Sequence, residues 1–154
     1  MDARLMDSLN EERDAMRSLF ALIQQEQTFL LEADINGLNA ITDEKAGTVA
    51  RVAALANTRQ HALTAAGYPQ SEAGMQAWVA SQTTGSAADA WAELLALTQS
   101  AKEMNRVNGL LINTHLTRNQ LALNVLHGAD QRSGFYGPDG QSKISVAARN
   151  LVIG

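Results

Sequence analysis

The side chains able to do acid–base or metal chemistry are few and scattered. None of the three histidines, His61, His115 and His127, has a glutamate three residues before it. The paired Glu-x-x-His motifs that hold a dinuclear metal centre in a helical bundle are therefore missing. There is no His-Glu-x-x-His run for zinc, and without cysteine the chain has neither a thiolate ligand nor a thiol nucleophile. The glycines build neither a phosphate-cradling loop nor a dinucleotide fingerprint. Spacing alone leaves a Ser-His-Asp set open, yet no serine sits in a nucleophile elbow. The expectation is a protein that is not an enzyme and carries no cofactor and no metal.

One polar cluster stands out, Asn105-Arg106-Val107-Asn108-Gly109-Leu110-Leu111-Ile112. Asn105 and Asn108 fall one helical turn apart between apolar turns. A buried asparagine at a helix seam costs stability but fixes register. Gly109, lacking a side chain, would let another backbone come close, and Ile112 continues the seam. A structural role is thus the expectation for Asn105, Asn108, Gly109 and Ile112.

The elements that must position these residues read as helices. Alanine and leucine dominate, and Pro69 and Pro138 are the only prolines; such a mixture favours helix over sheet. The first helix runs from about residue 3 to 33, with Leu5, Leu9, Met16, Leu19, Ile23 and Leu30 on one stripe. Asp34 is placed to cap a second helix, Ile35 to Ala66, with Leu38, Ile41, Val49, Val52, Leu55 and Leu63 as its stripe. Gly67-Tyr68-Pro69 ends it, and Gly37 and Gly47 weaken it. Ser71 to Ser81 makes a short connector helix. Ser86, with Asp89 three residues on, resembles a capping box. From Ala87 a third long helix extends to about His127, where Gly128 stops it. The predicted fold class is all-α: an elongated antiparallel bundle of three long helices, with a short connector helix and a flexible C-terminal tail. The predicted division is 1–128 for the bundle and 129–154 for the tail.

The third long helix carries more apolar surface than one seam requires. Leu94, Leu97, Ala101, Met104 and Leu111 form one stripe; Trp91, Leu95, Ile112, Leu116, Leu123 and Leu126 form another; Leu110, Leu121 and Val125 lie outside both. Such a helix is either central or covered by a partner, a second copy of the chain included. In the tail, Gly134, Gly137, Pro138 and Gly140 bring turn chemistry. Beyond them Ile144, Ala148 and Leu151 share a helical face, whereas Ile144-Ser145-Val146 alternates like a strand.

Length, charge and composition set the outer bounds. The 154 residues suffice for one domain, and 45% hydrophobic content excludes a wholly disordered chain. Net charge is −4, with eight acids and three bases between Met1 and Asp34 and a mildly basic last third. That balance argues against nucleic acid as a partner. No uninterrupted apolar run exceeds five residues, as at Val52 to Ala56, so membrane insertion is not expected. Met1-Asp2-Ala3-Arg4 lacks the pattern of a signal peptide, and the expected location is cytoplasmic.

Two resemblances follow from the motifs. His61-Ala62-Leu63-Thr64-Ala65-Ala66-Gly67 is similar to the helix of histidine-phosphotransfer bundles, but Thr64 stands where their lysine is usual. The whole chain resembles the flagellar export chaperones of the FlgN family. Asn105-x-x-Asn108-Gly109-x-Leu111-Ile112 is similar to that family's long-helix signature, and Phe135-Tyr136-Gly137-Pro138-Asp139-Gly140-Gln141 to its tail signature, with Phe135 in place of an aliphatic residue. The order of long helix, Asp34 break, second helix, Trp91 and long third helix fits as well. The resemblance implies a type III secretion chaperone for the hook-associated proteins of the hook–filament junction. It also implies client binding by the carboxy-terminal part, and contact of Tyr136 with the cytoplasmic domain of the export gate. An amphipathic client helix needs an apolar stripe or groove to lie on. Leu116, Leu123 and Leu126, with Ile144, Val146 and Leu151, are the residues expected to supply it. A generic helical adaptor or scaffold is the alternative.

Overall fold

The computed structural model describes residues 2–132, and side-chain burial from 3 to 128. Four helices follow one another: α1 (Asp2–Leu31), α2 (Ile35–Ala65), α3 (Glu72–Ser81) and α4 (Ser86–Arg132), with no strand among the described residues. The all-α expectation holds, with three long helices and a short connector. The chain divides into two compact units, residues 1–105 and 106–154.

In the first unit the stripe foreseen on α1 is the core. Leu5, Leu9, Met16, Leu19, Ile23 and Leu30 are all at most 8% exposed. All of these but Leu30 pack in one cluster with Leu63 of α2, Met75 and Trp78 of α3, and Ala87, Ala90, Trp91 and Leu94 of α4. Each large side chain so removed from water contributes about 1.5–3 kcal/mol before the entropy of ordering it is counted. The short helix α3 belongs to this core: Met75 and Trp78 are fully buried.

Polar contacts fix the helix directions. Glu12 and Glu26 of α1 pair with Arg59 and Lys45 of α2, so the later residue in one helix meets the earlier in the other. Lys45 and Arg59 in turn meet Asn105 and Trp91 of α4. Helix α2 therefore runs antiparallel to both α1 and this part of α4. In each helix the two contact residues lie fourteen positions apart, which is two heptads, the repeat of helices packed knobs into holes.

Local chemistry explains the breaks. Ala33 takes a left-handed φ of 54°, its N–H donates to Leu30 O at 3.2 Å, and the Asp34 N–H donates to Phe29 O at 2.8 Å. That is a Schellman end to α1 with alanine where glycine is favoured. Asp34 then caps α2, accepting from the Gly37 N–H at 2.9 Å. At the other end of α2, Gly67 has φ 90°; its N–H donates to Thr64 O, and the Tyr68 N–H donates to Leu63 O. Ser71 caps α3 through the Gly74 N–H at 3.0 Å.

Two expectations need correction. Ser86 is not the cap of α4 but its first helical residue; the Asp89 N–H donates to Gly85 O at 2.9 Å, and the Ser86 hydroxyl faces Thr84 Oγ1. Nor does α4 stop at Gly128, since it continues to Arg132. A single interior glycine costs about 1 kcal/mol against alanine, too little to end a helix whose flanking residues are helix formers.

Candidate interaction surface

Helix α4 carries apolar side chains in both units. In the first unit its inner face is made of Ala87, Ala90, Trp91, Leu94 and Ala101, all buried. In the second unit, at 100° per residue, Ile112, Leu116, Leu123 and Leu126 share one side of the helix. Ile112, Leu116 and Leu123 are half-buried there, and Leu126 is 60% exposed. The opposite side carries Leu110, Leu121 and Val125, which are 53%, 60% and 72% exposed. These last three lie outside both predicted stripes and are part of the apolar excess that the sequence assigns to a central or partner-covered helix. Their signal is the register itself: leucine and valine recurring at heptad-like spacing on the outer face of a helix.

The remaining predicted residues divide sharply. Asn108 is 1% exposed, whereas Asn105 is exposed and accepts from Lys45 Nζ at 3.1 Å. The two asparagines are therefore not equivalent members of one buried seam. The close backbone approach expected at Gly109 is not made among the described residues: nothing lies within 4 Å of where its Cβ would stand. Tyr136, Ile144, Val146 and Leu151 lie outside the described residues.

Two recesses lie among the described residues of the first unit. One, of about 400 Å³, has Met16, Leu19, Ile23, Val49 and Ala101 as its apolar lining, with Lys45, Thr98, Lys102 and Asn105 around it. The other, of about 440 Å³, is lined by Arg4, Thr58, His61, Ala62 and Ala65. His61 is exposed there, and no carboxylate is among the residues lining that recess. Among the described residues no three His, Asp or Glu side chains gather closely enough to hold a metal ion. No described helix is long and apolar enough to cross a membrane.

Sequence reasoning missed the ionic framework. Arg59 donates through Nε to Glu12 Oε2 at 2.5 Å and stands 5.1 Å from the centre of the Trp91 ring, joining α1, α2 and α4. Arg17 of α1 holds Glu93 of α4, with Nε at 2.6 Å from Oε1. Lys45 of α2 holds Glu26 of α1 at 2.8 Å. The charges on Glu12 and Arg59 fall on the apolar stripes of their helices, and that position is the only sign of them in the sequence.

The model of the family described as FlgN protein matches residues 1–144. The flagella synthesis protein FlgN of Yersinia enterocolitica is 31% identical over 153 residues, which cover 97% of each chain. Its namesake in Proteus mirabilis is 29% identical over 150 residues, 96% of each chain, and that of Salmonella typhimurium 28% over 144 residues, 92% of each. No solved structure matches. Because both the family match and these relatives run along nearly the whole chain, the protein belongs to the FlgN family.

Proposed function

We propose that this protein is a non-enzymatic cytoplasmic chaperone of flagellar assembly. In this reading it binds the terminal amphipathic helices of hook-associated proteins, keeps them unpolymerised, and delivers them to the cytoplasmic domain of the flagellar type III export gate. The observation that carries the reading is the pairing of FlgN membership with uncovered apolar side chains along the second-unit part of α4, Leu126 among them. Relatives named as flagella synthesis proteins support the setting. Leu116, Leu123 and Leu126, with Ile144, Val146 and Leu151, form the client surface; Tyr136 makes the export-gate contact. A surface of this kind holds a client through apolar area without fixed polar geometry, so one stripe accepts several helices and releases them.

The test is co-purification of the full chain with hook-associated proteins from a flagellated cell, followed by the same measurement on a chain ending at residue 128. A soluble complex that weakens on truncation supports the reading. Equal binding by the truncated chain rules out Ile144, Val146 and Leu151 as client contacts, and absence of any complex overturns the chaperone role. Tyr136→Ala is expected to spare client binding while weakening capture by the export-gate domain.

A further inference from the structure

Charge divides along α4 as sharply as burial does. Between Met104 and Ala129 there is no aspartate or glutamate, while Arg106 and Arg118 both fall in that stretch. Within it Val107, Leu110, Thr114, Thr117 and Leu121 recur at alternating steps of three and four, the spacing of a coiled-coil seam. Val107 is half-buried, and the other four are exposed. Both threonine hydroxyls are already used: Thr114 Oγ1 donates to Leu110 O and Thr117 Oγ1 to Asn113 O, each at 2.9 Å. With the hydroxyls turned back on the helix, the pair need no polar partner from outside. In the register that this seam defines, the flanking positions hold Arg106, Asn113 and Gln120 along one edge and Leu111, Arg118 and Val125 along the other. At 100° per residue the two arginines stand about 60° to either side of the seam's middle. Arg118 is exposed and is paired with no acid among the described residues.

We infer that this face of α4 docks an amphipathic helix of another protein, one whose apolar seam is edged by aspartate or glutamate. Charges beside a seam set the choice of partner. A carboxylate opposite Arg118 gains a charge-assisted hydrogen bond, and a lysine there is repelled. The chain itself offers no such edge. A second copy would bring the same acid-free stretch to the contact. The exposed acids of its α1, Asp7, Glu11 and Asp14, do not serve either, because α1 exposes no large apolar side chain between Arg4 and Ser18. Residues 143–154 carry Lys143 and Arg149 and no acid, again the wrong sign. An anionic lipid surface attracts each nearby arginine by only about 1 kcal/mol, and a seam holding two threonines lacks the apolar area that a surface helix needs.

The face is small. It spans about 27 Å of one helix from Val107 to Val125 and buries less than the roughly 1,200 Å² at which stable interfaces begin. The contact is therefore transient, and charge supplies its specificity and encounter rate more than its strength. The inference does not rest on the chaperone reading, since this face lies on the side of α4 away from Leu116 and Leu123. Where that reading holds as well, one helix serves a client on one side and an acid-edged partner on the other.

The probes are two dye-labelled synthetic helices of three heptads with leucine at the seam positions. One carries glutamate at every flanking position and the other lysine, and these like charges keep each peptide from pairing with itself. Fluorescence anisotropy with the full chain reads both affinities at about 0.15 M salt, where charges more than about 8 Å apart are largely screened. The glutamate helix is expected to bind at least about tenfold tighter than the lysine helix. Arg118→Glu should abolish or reverse that preference, whereas Asn119→Glu, on the opposite side of α4, should leave it intact. The double change Leu121→Ser with Val125→Ser should weaken the glutamate helix at least about tenfold. Circular dichroism matching the unsubstituted chain shows that the variants fold. Equal affinity for the two helices, no binding of either, or binding that Arg118→Glu leaves unchanged overturns the proposal. So does a dimer that the Leu121 and Val125 changes dissociate, which assigns the face to a second copy. Sedimentation with phosphatidylserine vesicles that Arg118→Glu abolishes would overturn it in favour of lipid. Because no client enters these measurements, their failure leaves the chaperone reading standing.

Discussion

Glu12 of α1 is 4% exposed, and its carboxylate takes a 2.5 Å hydrogen bond from Arg59 of α2. The same guanidinium lies over the ring of Trp91 of α4. An ion pair this buried gains little over a well-packed apolar pair, because both charges leave water to form it. What it does is penalise other registers, since any slip of α2 along α1 leaves a carboxylate buried alone.

That asymmetry is measurable. Arg59→Ala should destabilise the fold by about 3–5 kcal/mol, whereas the double change Glu12→Leu with Arg59→Met should be close to neutral. Urea denaturation followed by circular dichroism reads both. A single variant no worse than the double would mean that the pair carries no register information.

The alanine at the α1–α2 turn is a correctable strain. Ala33 has φ 54°, and left-handed backbone costs an L-residue with a Cβ about 1–2 kcal/mol. Ala33→Gly should therefore stabilise the protein by about 0.5–1 kcal/mol once the entropy of a freer unfolded chain is subtracted. Gly67→Ala, at φ 90°, should do the reverse. Thermal midpoints moving in opposite directions, by roughly 2–4 °C per kcal/mol, check the pair.

The two glycines of α2, Gly37 in its first turn and Gly47 in its interior, should also respond in opposite senses. A Cβ on Gly37 would stand 2.6 Å from the Phe29 ring and 2.8 Å from Asp34 Oδ2, so Gly37→Ala disturbs both the packing and the cap. Its expected cost is about 1–3 kcal/mol. Gly47 has nothing within 4 Å, and Gly47→Ala should add up to about 1 kcal/mol of helix propensity. Denaturation midpoints on either side of that of the unsubstituted protein are the expected outcome.

On the functional side, the triple change Leu116→Ser, Leu123→Ser and Leu126→Ser should weaken client capture at least tenfold, on the order of 1.4 kcal/mol or more. Helicity should fall little, because Leu126 is exposed and its two companions only half-buried. Titration calorimetry with a peptide from a client's terminal helix reads the affinity. Unchanged affinity would remove these leucines from the client surface.

Legibility in the sequence followed the range of the interaction concerned. Asp34 and Gly67 act within a few residues of themselves, and both mark their helix ends where short-range rules put them, whereas Ser71 is the cap of α3 and not, as expected, its first residue. The α1 stripe was readable because helical periodicity needs no partner to reveal it. Glu12 and Arg59 were not readable, since a charge on an apolar stripe looks like an interruption until its partner 47 residues away is known. Ala33 was missed because nothing in its type announces a left-handed turn. Gly128 does not stop α4, because one glycine is outweighed by the turns on either side. Within the predicted client surface, Leu116, Leu123 and Leu126 share one side of α4. The more exposed row through Leu121 and Val125 was legible only as part of the apolar excess of α4.

Both tryptophans, Trp78 and Trp91, are buried in the first unit, and the second has none. Intrinsic fluorescence is thus a reporter of the first unit alone. Emission will shift when that core melts and should stay constant while anything docks or departs along residues 110–126. A dye or isotope label placed in that stretch would supply the complementary channel, and the two optical signals together would separate loss of fold from loss of grip.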